Sequence, residues 1–383
     1  MFLALRDLRF APGRFALMGS VVALISLLLV MLSGLTAGLG GQNTAAIDRL
    51  GEQGVQRLVF GGAADQEPTA SFTQSEFTVA QRDAWAATDG VASVEPLGVS
   101  QGRAIGLEHP VDTDPQGRAD VSGEPTTGVA TTAFIGLTPG GSDAPAGVEP
   151  GQIVLSQDVA DSLHAQAGDA VAVSGFVYTV ADVVPTEYYS HSPVTWLALE
   201  DWNAISHTAD DAVLGTAGLV RFDAGADVDA VAAAGDDAAG TVAETVKGSY
   251  AALPSYRSEN GSLMTMQGFL YGISALVVIA FLSIWTVQRT RDIAVLKALG
   301  GSNGWVLKDS LAQAASVLVG GVAVGTGLAA VIGAFAGRAV PFELSWATTA
   351  VPAAGVLVLG MLAAVVAVYR VTRIDPLVAL GGN

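Results

Sequence analysis

Apolar positions along this chain fall into two distinct patterns. Four stretches carry no charged residue at all: Phe15 to Ile47, Asn260 to Gln288, Ser310 to Gly337 and Leu344 to Tyr369. Each exceeds the ~18 to 20 residues that a helix needs to cross about 30 Å of hydrocarbon. Their cores (FALMGSVVALISLLLVMLSGL, LYGISALVVIAFLSIWTV, ASVLVGGVAVGTGLAAVIGAF and AAGVLVLGMLAAVVAV) are apolar all round, whereas a surface helix is apolar on one stripe. The pattern predicts transmembrane helices at 15–39, 263–288, 310–337 and 344–369. The first apolar run is too long for the h-region of a signal peptide, and three spans follow it, so it is read as an uncleaved first helix.

Between the first two spans, residues 40–259 show the second pattern, short apolar runs punctuated by Gly, Pro and Asp. VASVEPLGVSQGRAIGL, TTAFIGLTP, GQIVLS, DAVAVSGFVYTVADVV, VTWLAL and GLVRF read as strands, and SEFTVAQRDAWAAT, SQDVADSLHAQA, LEDWNAISH and DVDAVAAAGDDAA as helices. The stretch from Glu149 to Pro185 predicts a strand, a helix opening at Ser156 or Asp158, a turn at Gly168–Asp169 and a hairpin through Gly175. The expected fold is a membrane protein of four transmembrane α-helices, with a large α+β extracytoplasmic domain inserted between helices 1 and 2.

Composition agrees with that division. Of 383 residues, 51% are apolar and 14% charged, the formal net charge is −18, and there is no cysteine. Disorder, a disulfide scaffold and cysteine-ligated metal centres are excluded. The segment 40–259 holds 8 basic and 31 acidic residues, a surplus read as solubility rather than as a cation site. The basic residues that flank the spans are Arg6, Arg9, Arg14, Arg289, Arg291, Lys297, Lys308, Arg370 and Arg373. By the positive-inside rule they place both termini in the cytoplasm and the inserted domain outside, in a multi-pass cell-membrane protein.

Catalytic and motor chemistry is missing. The lysines stand in TVKGS, VLKAL and LKDS, none of them a phosphate-cradling loop. His109, His164, His191 and His207 have no metal-ligand spacing, and no serine sits in a nucleophile elbow. Only His191 stays open as a candidate, because Glu187, Tyr188, Tyr189 and His191 cluster in one loop. No span interior carries a charge, which argues against ion coupling and for mechanical coupling to an ATPase. The coupling element is expected in the segment 289–309, within VQRTRDIAVLKALGGSNGWVLKDS: Arg289, Arg291 and Asp292 leave the membrane, Ile293, Leu296 and Leu299 share a helix face with Lys297 beside them, and Gly300 ends the helix.

These residues resemble the loop after the second helix of FtsX-like, MacB-type ABC transporter permeases. The start FLALRDLRFAPGRFALM, which includes most of the amphipathic stretch 1–14, is similar to that family's elbow helix, and the ending RVTRIDPLVALGG, in the tail 370–383, to its C-terminus. GQIVLSQDVADSLHAQAGDAVAVSGFVYTVADVV resembles its outer-domain core. GLTAGLGGQNTAAIDRL is most similar to the HrtB/DevC branch, whose HrtB members export haemin.

The resemblance implies a homodimeric permease subunit in membrane lipid. Two copies of a cytoplasmic ATPase would dock on Arg289 to Gly300, carry ATP and Mg, and drive efflux by mechanotransmission, so the chain itself would bind no cofactor. Haemin as substrate would need axial ligands, an apolar slot and cations for its propionates. The residues near the outer membrane face that offer these are Met31, Tyr250, Tyr256, Arg257, Glu259, Met264, Met266 and Tyr271. Each is also a residue type that packs in a helix bundle or an interfacial aromatic belt, as do Trp285, Trp305 and Trp346. Gly321/Gly325 and Gly333/Gly337 form small-xxx-small pairs, for use either within the subunit or between copies. Three other readings compete: a mechanotransmitter acting on a cell-wall hydrolase, an exporter of lipid or peptide, and a membrane-anchored sensor or enzyme. No nucleic-acid partner is expected.

Overall fold

The computed structural model describes residues 12–62, 67–206, 212–288 and 303–372. The first eleven residues, the segment 289–302 with the whole Arg289–Gly300 coupling set, His207 and the tail from 373 lie outside them. The chain divides into two compact units, Met1–Leu39 with Asn260–Asn383, and Gly40–Glu259.

The first helix, α1 (Pro12–Glu52), continues past Leu39, because the absence of charge marks a span and not a helix end. The inserted domain then starts on β1 (Arg57–Phe60) and β2 (Phe77–Thr78). Helix α2 (Val79–Ala86) opens on a capping box, in which the Thr78 hydroxyl accepts from the Gln81 amide and the Gln81 side chain accepts from that of Thr78. Strand β3 (Val91–Leu107) is long and shared between two lobes.

After it come β4 (Thr126–Leu137), β5 (Gln152–Ser156), α3 (Gln157–Leu163), β6 (Ala170–Val173), β7 (Phe176–Val184), β8 (Tyr188–Tyr189), β9 (Ser192–Ala198) and α4 (Leu199–Ile205). The domain ends with β10 (Val213–Gly215), β11 (Ala217–Phe222), α5 (Val228–Ala239) and β12 (Val242–Thr245).

In the first lobe the strand order is β12-β1-β11-β3, antiparallel throughout, with α2 and α5 as crossovers. This is the split βαβ arrangement. Trp85 of α2 is fully buried against Gly235 of α5, and its indole N–H donates to Thr241 Oγ1 at 2.9 Å.

In the second lobe the pairings β3–β4, β4–β9, β9–β5, β5–β7, β7–β6 and β6–β3 close into a circuit of six strands. One set of its apolar residues, including Phe134, Ile153, Leu155 and Val171, clusters with α3 and α4. The in-register pair Gly98–Gly136 leaves a notch that Trp202 of α4 fills, where a Cβ on either glycine would overlap the indole. Sequence reading found the long strands and the four helices but passed over β1, β2, β8, β10 and β12.

The membrane unit packs α1 against α6 (Pro254–Gln288), α7 (Asn303–Ala336) and α8 (Trp346–Thr372). A stripe at alternating spacings of three and four, Phe15, Met18, Val22, Ile25 and Leu29, buries α1 against Val278, Leu318, Val322 and Val356. The four helices are long and apolar enough to span a membrane. The glycine pairs of α7 act within the subunit. A Cβ on Gly321 would come 2.9 Å from the Gly19 carbonyl oxygen, and one on Gly325 would overlap that of Ala23. Gly333, with Gly34 and Gly38 of α1, seats the Pro341–Phe342 turn that leads into α8, and the Glu343 amide donates to the Gly34 carbonyl at 3.0 Å.

Candidate functional site

Polar side chains in the inserted domain converge where the end of α1, the β8–β9 turn and the start of α6 meet. From α1, Thr44 Oγ1 donates to Asp48 Oδ2 at 3.0 Å across one helical turn, and the Tyr250 hydroxyl donates to the other Asp48 oxygen. Burial and then this acceptor push the Tyr250 phenol upward from its ordinary range. Tyr256 meets Tyr250 edge-on with ring centroids 5.5 Å apart. One residue beyond Asp48, Arg49 lies 3.5 Å from Glu187 and 5.6 Å from the Trp196 ring centre. Burial pushes the Glu187 carboxyl up, and Arg49 opposes it.

The loop flagged around His191 is a tight hairpin whose side chains go to different places. Tyr188↔Pro193 and Tyr189↔Ser192 are paired, leaving Ser190 and His191 as a two-residue turn with φ of 48° and 63°. Both central residues are left-handed, as a type I′ turn requires, although neither is glycine. The Tyr188 hydroxyl donates to Asp158, which with burial raises its pKa to about 12. Tyr189 is buried against Phe72 at 5.7 Å.

His191 Nε2 stands 2.9 Å from both Glu259 oxygens and 3.0 Å from Asn43 Nδ2. Asn43, 1% exposed, donates to Glu259 Oε2 at 3.2 Å and accepts from Ser255 Oγ at 2.7 Å. Ser255 in turn lies 2.7 Å from Ser190 Oγ. The turn's own amides donate to α1, Ser190 to the Asn43 carbonyl and His191 to that of Gln42.

Of the residues that sequence reading assigned to substrate, the structure brings Tyr250 and Tyr256 together and joins Glu259 to His191. Arg257 is exposed and, among the described residues, forms no ion pair. In the membrane unit Met31 is half-buried, Met264 and Met266 are 62% and 53% exposed, and Tyr271 packs on Gly355 of α8. Asn43, Asp48, Ser190 and Ser255 were missed; their partners lie 65 to 216 residues away, which no local pattern encodes. Elsewhere, His109 and His164 are exposed. No three His, Asp or Glu side chains gather as metal ligands among the described residues.

Four helices long and apolar enough to span a membrane, with an α+β domain between the first two, define a multi-pass membrane protein. Residues 264–376 match the FtsX-like permease C-terminal family. The chain is 22% identical to the hemin transport system permease protein HrtB of Staphylococcus epidermidis, over 100% of both chains. It is 29% identical to HrtB of Staphylococcus haemolyticus over 130 residues, 34% of this chain and 37% of that one. The extracellular domain of the noncanonic ABC-type transporter YknZ from Gram-positive bacteria aligns with 49% of this chain and 95% of its own, at 13% identity and a TM-score of 0.31. The last three helices thus carry a likeness to FtsX-like permeases, and the chain as a whole is similar to a hemin transport permease.

Proposed function

We propose that the chain is the permease subunit of an efflux transporter, driven by a separate cytoplasmic ATPase, that expels an amphiphile to the outside, with haemin as the substrate. The observation carrying this reading is the end-to-end match to a hemin transport permease, a likeness that includes both the membrane helices and the inserted domain. Two subunits pair in the membrane, with the termini and the Arg289–Gly300 segment facing the cytoplasmic ATPases. Movement of α1 and α6 carries ATP energy to the outer domain, because each helix contributes residues to both units.

The residue chemistry supports haemin. Within the inserted domain Tyr250 and Tyr256 offer phenols and Arg257 a cation for a propionate; within the membrane unit Met31, Met264 and Met266 offer thioethers. Tyr271 adds an aromatic surface.

The test is haemin titration of the detergent-purified chain with its co-expressed ATPase, following the Soret band and ATP turnover together. Saturable binding with altered turnover is expected. Tyr256→Ala and Met264→Ala should each weaken binding several-fold, and an unchanged Soret titration for both would remove these residues from the site. An active, associated ATPase with no spectral response would replace haemin by a lipid, a peptide or a wall-hydrolase partner.

A further inference from the structure

The Ser190–His191 turn joins three segments far apart in sequence, and it does so almost entirely through polar bonds. Its amides hold the end of α1 at Gln42 and Asn43, while its side chains hold the first turns of α6 at Ser255 and Glu259. Asn43 bridges the two helices directly. From the other side, Gln101 Nε2 of β3 donates to Ser192 Oγ at 2.9 Å and to the Ser190 carbonyl at 3.3 Å, anchoring the hairpin to the long strand. The side chains of His191 and Glu259 are 30% and 39% exposed, so water is at hand to take over their hydrogen bonds when the contact parts. The contacts of Ser190 and His191 themselves are polar, so water can satisfy these groups when they part, while the apolar cluster of Tyr189, Ile47 and Leu253 lies beside them.

The turn also has reason to move. Two consecutive non-glycine residues in the left-handed region are strained, and such residues persist only where the surroundings hold them. Here the holders are the β8–β9 pairing and the bonds to α1 and α6, so losing the latter leaves the turn held by its own strands alone.

We propose that Ser190–His191 is a releasable clasp that fastens the start of α6 to the end of α1, closed in the resting protein and opened during the ATP-driven cycle. This rests on the permease reading and adds to it a switching element. While closed, the clasp makes the two helix ends move as one body with the β8–β9 hairpin; once open, it frees the start of α6.

The chain has no cysteine, so Ser190→Cys with Ser255→Cys introduces its only thiols, at positions whose hydroxyl oxygens are 2.7 Å apart. In membranes containing the full chain and its ATPase, mild oxidation should cross-link the resting protein in high yield. Trapping the ATPase with ATP and vanadate before oxidation should lower that yield at least threefold. The oxidised protein should extrude haemin at less than a tenth of the rate of the same protein after reduction, which serves as its own folding control.

A clasp that never opens would give equal yields with and without trapped nucleotide, and an oxidised protein as active as the reduced one. Either result, or a failure to cross-link at rest, overturns the proposal. If the unmodified chain extrudes no haemin, the export reading falls, and the nucleotide dependence of the cross-link still decides whether the clasp opens.

Discussion

A missing side chain is what lets α1 and α7 touch. Gly325 lies so close to the Ala23 carbonyl that any Cβ must push the helices apart, whereas Gly320, on another face of α7, has nothing within 4 Å. Overpacking of this kind costs about 1 to 3 kcal/mol even where the structure partly adapts. Gly325→Val should therefore lower the thermal unfolding midpoint in detergent by several degrees, with Gly320→Val as a near-silent control. Equal midpoints for the two variants would show that the contact does not constrain the bundle.

Buried charge makes a second residue-scale case. Arg221 pairs with Asp143, itself 1% exposed, and lies 3.9 Å from Glu95. Burial and then the Asp143 charge push the Glu95 carboxyl above its ordinary range, against the pull of Arg221. The folded state thus favours protonated Glu95 more than the unfolded state does. That stability is present below the unfolded pKa and is lost as pH rises through the folded one. Glu95→Gln, neutral at every pH, should raise the unfolding midpoint relative to wild type more at pH 8 than at pH 4. A difference independent of pH would contradict this account.

At the scale of elements, legibility followed the range of the interaction. The β3 sequence VASVEPLGVSQGRAIGL runs Val91–Leu107 as read, and the hairpin through Gly175 joins β6 and β7. Both are long or locally paired. In contrast RLVF and VAET are four residues each and become β1 and β12 only by pairing with each other, and β1 with β11 as well, across more than 150 residues of chain. The polar junction around His191 was half legible: the residue stood out, but its partners Glu259 and Asn43 come from separate helices. Spans were located by their lack of charge, while their helices run on into polar sequence at Glu52 and Pro254.

The coupling segment is an element read from sequence alone. Its apolar face, Ile293, Leu296 and Leu299, is proposed to enter a groove on the ATPase. Ile293→Asp or Leu296→Asp should abolish co-purification of the ATPase and haemin-stimulated ATP turnover, while the chain still reaches the membrane in wild-type amount. Undiminished co-purification would move the docking site elsewhere.

For the whole molecule, the helix with least to hold it is α6. Only 17% of its most apolar window is buried within the chain, against 39% in each of the other three spans. Phe269, Ile273 and Leu276 are more than half exposed, and Gly261, Gly268 and Gly272 have nothing within 4 Å. Lipid satisfies apolar side chains as well as protein does, so exposed Phe and Leu alone do not call for a partner. Glycines differ, since a smooth helix face loses dispersion contacts unless another backbone approaches it closely. In α7 the corresponding glycines meet α1 and the Phe342 turn, so the subunit already uses the device internally. Gly268 and Gly272, four apart on α6, are the pair left over for a second copy. Gly268→Leu with Gly272→Leu should turn the homodimer proposed here into monomers when subunits are counted by single-molecule photobleaching in membranes, and export should fall with it. Gly320→Leu with Gly327→Leu on α7, equally open within the chain, should leave the dimer intact. Loss of the dimer in the α7 pair and not in the α6 pair would place the interface on the other side of the bundle. The movement of α6 would then be free of the two-fold axis.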